Sequence, residues 1–308
     1  MISELALPAV DCPLVEIPSR LGVRLFVKRA DKVHPEISGN KYWKLFYNVN
    51  HYLERRPERP MLITFGGAYS NHIAAVSALA REGGFSSLGI IRGHELEYRW
   101  RENPTLGYAA GNGMEFRFVR REEYRDKEGL MVQLASDYPE ALILPEGGTN
   151  AEAVEGIERM LSPDTQRFDY LCTAVGTGGT VAGLAKFAQE HQRVIGFPVV
   201  KDDSLQGKIR ALSGGKEVAL FEASFGGYGK LSDAVVRFIN EFGMDFGIQL
   251  EAVYTGKMML ALFKLIEKGY FPKGSKILAF HTGGLQGIAG ANAFLQKRGR
   301  PTIALVES

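Results

Sequence analysis

Short apolar runs that end in glycine and give way to stretches with helical character recur along this chain. Residues 61–65 form such a run, Gly66 and Gly67 make a turn, and from Ser70 onward an alanine-rich segment predicts a helix. Further apolar runs at 88–91, 115–119 and 141–144 predict strands, separated by helices over about 104–110 and 130–137. A second series follows Gly147-Gly148: a helix over 151–161, a strand over 170–175, then Gly176-Thr177-Gly178-Gly179-Thr180 opening another helix. Strands near 193–197, 218–223 and 276–280 alternate with helices near 205–212, 231–242, 254–268 and 287–297. Strands in alternation with helices are the pattern of parallel sheets with crossover connections, so the predicted class is α/β, in two domains with a cleft between them.

Composition narrows the partners. The 308 residues are 45% hydrophobic and 23% charged, ordinary for a globular protein with a substantial core. The 37 basic and 35 acidic residues leave a formal charge of +2, which gives no reason to expect nucleic acid or an anionic membrane surface. Cys12 and Cys172 stand far apart without metal-ligand spacing, which fits a reducing cytoplasm. The first ten residues include Glu4 and Pro8 and do not read as a secretory signal, and no apolar run is long enough to span a bilayer. A small molecule is the expected partner.

Four glycine-framed segments carry candidate chemistry. Ser38-Gly39-Asn40-Lys41 places a lysine in the first turn of a predicted helix; its amine can form a Schiff base if held partly desolvated, though a lone lysine there could equally be solvated. Gly66-Gly67-Ala68-Tyr69-Ser70-Asn71-His72 joins a strand to a helix, where free amides and the helix dipole suit a carboxylate; Ser70 or Asn71 could instead be a plain cap. The segment 176–180 lets backbone close around phosphate oxygens while threonines add hydroxyls. Val181 breaks a dinucleotide fingerprint and Leu184 breaks a P-loop, so neither competing motif holds. Tyr254-Thr255-Gly256-Lys257 and His281-Thr282-Gly283-Gly284 offer hydroxyls that could reach a heterocycle, although Tyr254 and His281 could simply be core residues.

Taken in order, residues 38–45, 64–72, 175–184, 254–257 and 281–284 resemble the 1-aminocyclopropane-1-carboxylate deaminase and D-cysteine desulfhydrase family, within the tryptophan synthase β-like group of pyridoxal-phosphate enzymes. The resemblance implies two open twisted α/β domains, a large one of residues 1–44 and 149–308 and a small one of 45–148, with pyridoxal 5'-phosphate in the cleft, and a homodimer. It implies that Lys41 bonds the cofactor, that Asn71 meets its phenolic oxygen, and that Thr177, Gly178, Gly179 and Thr180 hold its phosphate. Ser70 and His72, with Asn71, would meet the substrate carboxylate or relay protons, and Tyr228 and Tyr254 match tyrosines set against cofactor or substrate.

One departure bears on the chemistry. In members that open the cyclopropane ring, the residue after the tyrosine is a glutamate that holds the pyridine nitrogen protonated; here it is Thr255. A neutral hydroxyl from Thr255 or Thr282 gives a weaker electron sink, which points to β-elimination of a good leaving group, as from D-cysteine to pyruvate, ammonia and sulfide. Ring opening to 2-oxobutyrate and ammonia is the enzymatic alternative, and a non-catalytic pyridoxal-phosphate-binding protein is the alternative of another class.

Overall fold

The computed structural model describes Leu5 and residues 12–18, 22–227 and 229–306. Chain order begins with β1 (Leu14–Ile17) and β2 (Arg24–Lys28), which pair antiparallel. Helix α1 (Asn40–Glu54) then leads into an alternating run: β3 (Met61–Gly66), α2 (Asn71–Gly83), β4 (Ser86–Arg92), α3 (Pro104–Gly111), β5 (Met114–Val119), α4 (Lys127–Asp137) and β6 (Leu142–Leu144). These four strands make one parallel sheet in the order β5-β4-β3-β6.

The chain returns through α5 (Ala151–Ile157) to β7 (Tyr170–Val175), α6 (Gly179–Phe187), β8 (Arg193–Pro198), α7 (Leu205–Leu212), β9 (Ala219–Leu220), α8 (Asp233–Phe246), α9 (Thr255–Glu267), β10 (Lys276–Phe280) and α10 (Gly287–Gln296). A six-stranded sheet of order β1-β2-β10-β7-β8-β9 results, parallel except at β1. Strand β2 thus enters beside the last strand, β10, and the β2–β10 register runs from Lys276 opposite Arg24 to Phe280 opposite Lys28. Strand β7 is buried at all six positions, as expected of a central strand covered on both faces by helices.

The structure corrects several expected bounds. The predicted strand over 218–223 shrinks to Ala219 and Leu220, because an edge strand has only one neighbour, here β8, to hold it. The helix expected over 151–161 changes at residue 158 to a 3-10 turn. Strands β1 and β2 were not foreseen, and their pairing through a long-range partner, β10, is what stabilises them.

Two features join the sheets. Helix α1 lies against α5 so closely that a Cβ on Gly156 would stand 1.9 Å from the Trp43 carbonyl oxygen. The C-terminal ends of β3 and β6 in one sheet, and of β2, β7, β8 and β10 in the other, all lead into loops, and in parallel sheets that edge is where ligands bind. No helix among the described residues is long and apolar enough to cross a membrane.

Gly156→Ala should push α1 and α5 apart, since the obstructing atom is backbone and cannot rotate away. Overpacking of this kind costs roughly 1–3 kcal/mol, more than the approximately 1 kcal/mol gained in helix propensity. Urea unfolding should show a lower midpoint for the variant; an equal or higher midpoint would contradict the close crossing.

Candidate active site

Gly39 precedes α1 with φ 67°, and a Cβ there would stand 2.0 Å from the Thr282 carbonyl oxygen. The Asn40 amide donates to that same oxygen at 3.3 Å. The segment with Lys41 is therefore locked directly against the segment with Thr282. The Lys41 amine donates to Asn40 Oδ1 at 3.0 Å, and the Asn40 amide group donates to Thr180 Oγ1 at 2.7 Å. Three of the four sequence segments thus meet around one side chain. Withdrawal from water lowers the Lys41 amine to about 8, with the Glu251 carboxylate opposing the shift.

Lys44, one turn on, was not singled out in the sequence. It is 2% exposed and its amine donates to the Gly147 carbonyl at 3.0 Å and to Thr149 Oγ1 at 2.9 Å. A Cβ on Gly179 would stand 2.9 Å from that amine, so Lys44 sits at the N-terminus of α6. Burial, then the nearby Lys41, hold its pKa well below the ordinary value. The spacing Lys41-x-x-Lys44 could have flagged it, because residues three apart share a helix face.

Around that point the segment 176–180 folds as expected. Gly178 caps α6 with φ 91°, a left-handed conformation open to glycine. The amides of residues 177–180 donate to no main-chain carbonyl among the described residues, so they are free at the positive end of the helix. Thr177 Oγ1 lies 2.5 Å from Thr149 Oγ1, and a Cβ on Gly176 would meet the Tyr254 ring at 3.1 Å.

From the other sheet, Ser70 caps α2 by accepting from the Ile73 amide at 3.3 Å. Asn71 accepts from Gln286 at 2.9 Å, and a Cβ on Gly284 would stand 2.3 Å from Asn71 Nδ2. His72 is 1% exposed and neither ring nitrogen has a hydrogen-bond partner among the described residues. Burial, Lys41 and Lys44, in that order, depress its pKa well below the usual histidine value.

Thr255 and Thr282 differ. Thr255 is fully buried; its hydroxyl accepts from the Glu251 amide at 3.0 Å and lies 3.2 Å from Glu251 Oε1. Glu251, another residue the sequence reading missed, accepts from the amides of Val253, Tyr254 and Thr255 at 2.6–2.7 Å and so caps α9. Burial raises its pKa while those donors oppose the rise. The Thr282 hydroxyl makes no hydrogen bond among the described residues and retains 9% exposure. His281 takes the plain structural part: Nε2 donates to the Gln249 carbonyl at 2.7 Å, and Nδ1 accepts from the Gly283 amide at 3.3 Å. Tyr228 lies outside the described residues.

The residues fit a phosphate-bearing aldehyde. Lys41, Lys44 and His72 crowd together; burial disfavours the protonated form of each, and repulsion from Lys41 adds to this at Lys44 and His72. A dianion at the free α6 amides would relieve that repulsion and satisfy donors the protein leaves open.

Comparison with known proteins agrees. The family model described as "Pyridoxal-phosphate dependent enzyme" matches residues 6–283. The bifunctional D-cysteine desulfhydrase/1-aminocyclopropane-1-carboxylate deaminase of Arabidopsis thaliana, a mitochondrial protein, is 30% identical over 87% of this chain and 74% of its own length. The 1-aminocyclopropane-1-carboxylate deaminase of Rhizobium rhizogenes is 27% identical over 87% of this chain and 89% of its own. Among solved structures, one described as an ACC deaminase homologue superposes with TM-score 0.79 at 28% identity, covering 95% of both chains.

In the cofactor-free protein the Lys41 amine should titrate near 8, so its acylation rate should rise through pH 8 and level off above it. Glu251→Gln should lower that midpoint, because the carboxylate favours the ammonium form. The rate is read by peptide mass mapping; a midpoint at the ordinary lysine value of about 10.4 would contradict the desolvated site.

Proposed function

Because the chain belongs to the family of pyridoxal-phosphate-dependent enzymes, we propose that it catalyses β-elimination on D-cysteine, giving pyruvate, ammonia and hydrogen sulfide. The observation that carries this reading is the neutral, enclosed Thr255. Its hydroxyl is engaged by Glu251, and the Glu251 carboxylate is itself taken up by three amides.

Bound in the cleft, pyridoxal phosphate supplies the electron sink for charge at the substrate α-carbon. Lys41 would bond the cofactor and, when free, its amine would take the α-proton; burial, which lowers that amine to about 8, keeps a share of it neutral near neutral pH. Lys44 and the amides and hydroxyls of residues 177–180 would bind the phosphate. Asn71, held by Gln286, would orient the ring through its phenolic oxygen. The Thr282 hydroxyl, which bonds no other group among the described residues, would meet the ring nitrogen more readily than that of Thr255. Ser70 and His72, at the N-terminus of α2, would meet the substrate carboxylate, for which the His72 ring nitrogens have no competing partner among the described residues. Tyr254, packed over Gly176, orients the substrate side.

A second reading, ring opening of 1-aminocyclopropane-1-carboxylate, is favoured by the names of the Rhizobium protein and the ACC deaminase homologue. Product ratios separate the two. Purified protein should release pyruvate from D-cysteine faster than 2-oxobutyrate from 1-aminocyclopropane-1-carboxylate, and Thr255→Glu should raise the relative 2-oxobutyrate yield at matched cofactor occupancy. Efficient ring opening by the wild-type protein, indifferent to Glu at 255, would return the deaminase reading to first place.

A further inference from the structure

Lys257 is a buried cation that the chemistry above does not use. Its side chain is fully buried at the start of α9, and among the described residues no carboxylate lies within ion-pair distance of its amine. Instead the amine donates to the Ser224 carbonyl at 2.8 Å and the Gly227 carbonyl at 2.9 Å. Both acceptors belong to a bent segment of main chain. Phe225 has φ 44°, one of two non-glycine residues with positive φ among the described residues, and Gly226 and Gly227 follow at 101° and 125°. A phenylalanine in that region is strained and needs surroundings that hold it there. Here Lys257 bridges the carbonyls on either side of the bend, and the Phe225 ring packs 4.9 Å from the Lys264 amine two turns along the same helix.

The bend occupies a telling place. The Ala223 amide donates to the Pro198 carbonyl, at the C-terminal end of β8, so residues 224–227 leave the sheet at the ligand-binding edge, on the side of β8 away from β7 and the phosphate cradle. Tyr254, one turn before Lys257, rests on Gly176 of that cradle. A single helical turn therefore touches the cradle with one residue and fixes the bend with another. Two of the three Lys257 N–H donors are spent on the Ser224 and Gly227 carbonyls.

We propose that Lys257 is a positioning residue that holds residues 224–227 as a wall of the cleft at the C-terminal edge of β8; this rests on the reading that the cleft takes a pyridoxal-phosphate-bound amino acid. Losing a charged donor to two carbonyls should release the bend without disturbing the phosphate cradle.

The test uses the holoenzyme, with wild type compared to Lys257→Met, Lys257→Arg and Gly227→Ala. Three quantities are read: hydrogen exchange of the amides of residues 222–231, retention of the cofactor through dialysis, and the concentration of D-cysteine, D-serine or 1-aminocyclopropane-1-carboxylate that half-saturates the change in the cofactor's visible band. Lys257→Met should speed exchange in the segment and weaken the amino acid by roughly tenfold or more, with cofactor retention unchanged; Lys257→Arg should recover part of both. Gly227→Ala, which forces a side chain into a φ of 125° without removing the lysine, should weaken the amino acid in the same way. Unchanged exchange and amino-acid affinity in Lys257→Met would overturn the proposal, as would loss of cofactor in parallel with loss of amino acid. If wild type binds cofactor yet none of the three amino acids alters its band, the functional reading fails, and the proposal falls with it.

Discussion

The contact between Gly39 and the Thr282 carbonyl is the constraint on which the cleft depends. No residue with a Cβ could stand 2.0 Å from that oxygen, so glycine is required where the main chain turns into α1. That approach is possible because β2 pairs in parallel with β10, which brings the chain's early and late segments to the same edge of one sheet. From there the Asn40 amide reaches Thr282, the Asn40 side chain reaches Thr180, and Lys41 follows as the next residue. His281 reinforces the junction from beneath by joining the Gln249 carbonyl to the Gly283 amide within one buried ring.

A second consequence is electrostatic. Fixing α1 in this way brings Lys41 and Lys44 together in the interior, next to His72, with the buried Glu251 carboxylate already taken up by three main-chain donors. Such an arrangement is unfavourable for the empty protein and favourable for one that holds an anion at the start of α6. The same low-dielectric surroundings that make the lysines costly also bring the Lys41 amine down to about 8, into the range where it can exchange a proton near neutral pH.

Much of this was legible in the sequence because the chemistry sits in contiguous glycine-framed segments. Local pattern predicts β3, β7 and β10 and the turns after them, where Ser70, Gly178 and Thr282 stand. Lys44 and Glu251 were less legible. Each is an ordinary charged residue in the sequence, and only the distant partners, Gly147 and Thr149 for one and the turn into α9 for the other, reveal a buried position. Strands β1 and β2 escaped for a similar reason: their stability comes from β10, some 250 residues away, rather than from local propensity. Thr255 and Thr282 were interchangeable as hydroxyls in the sequence, whereas the structure distinguishes them by what each already bonds.

The central claim is that Lys41 is the anchor of the cofactor, and the neighbouring lysines make this a sharp question. Lys44 and Lys257 each have an amine held by two acceptors, while the Lys41 amine contacts Asn40 Oδ1. Borohydride reduction of the holoenzyme followed by peptide mass mapping should place the pyridoxyl group on Lys41. Its recovery on Lys44 or Lys257 instead would contradict the account.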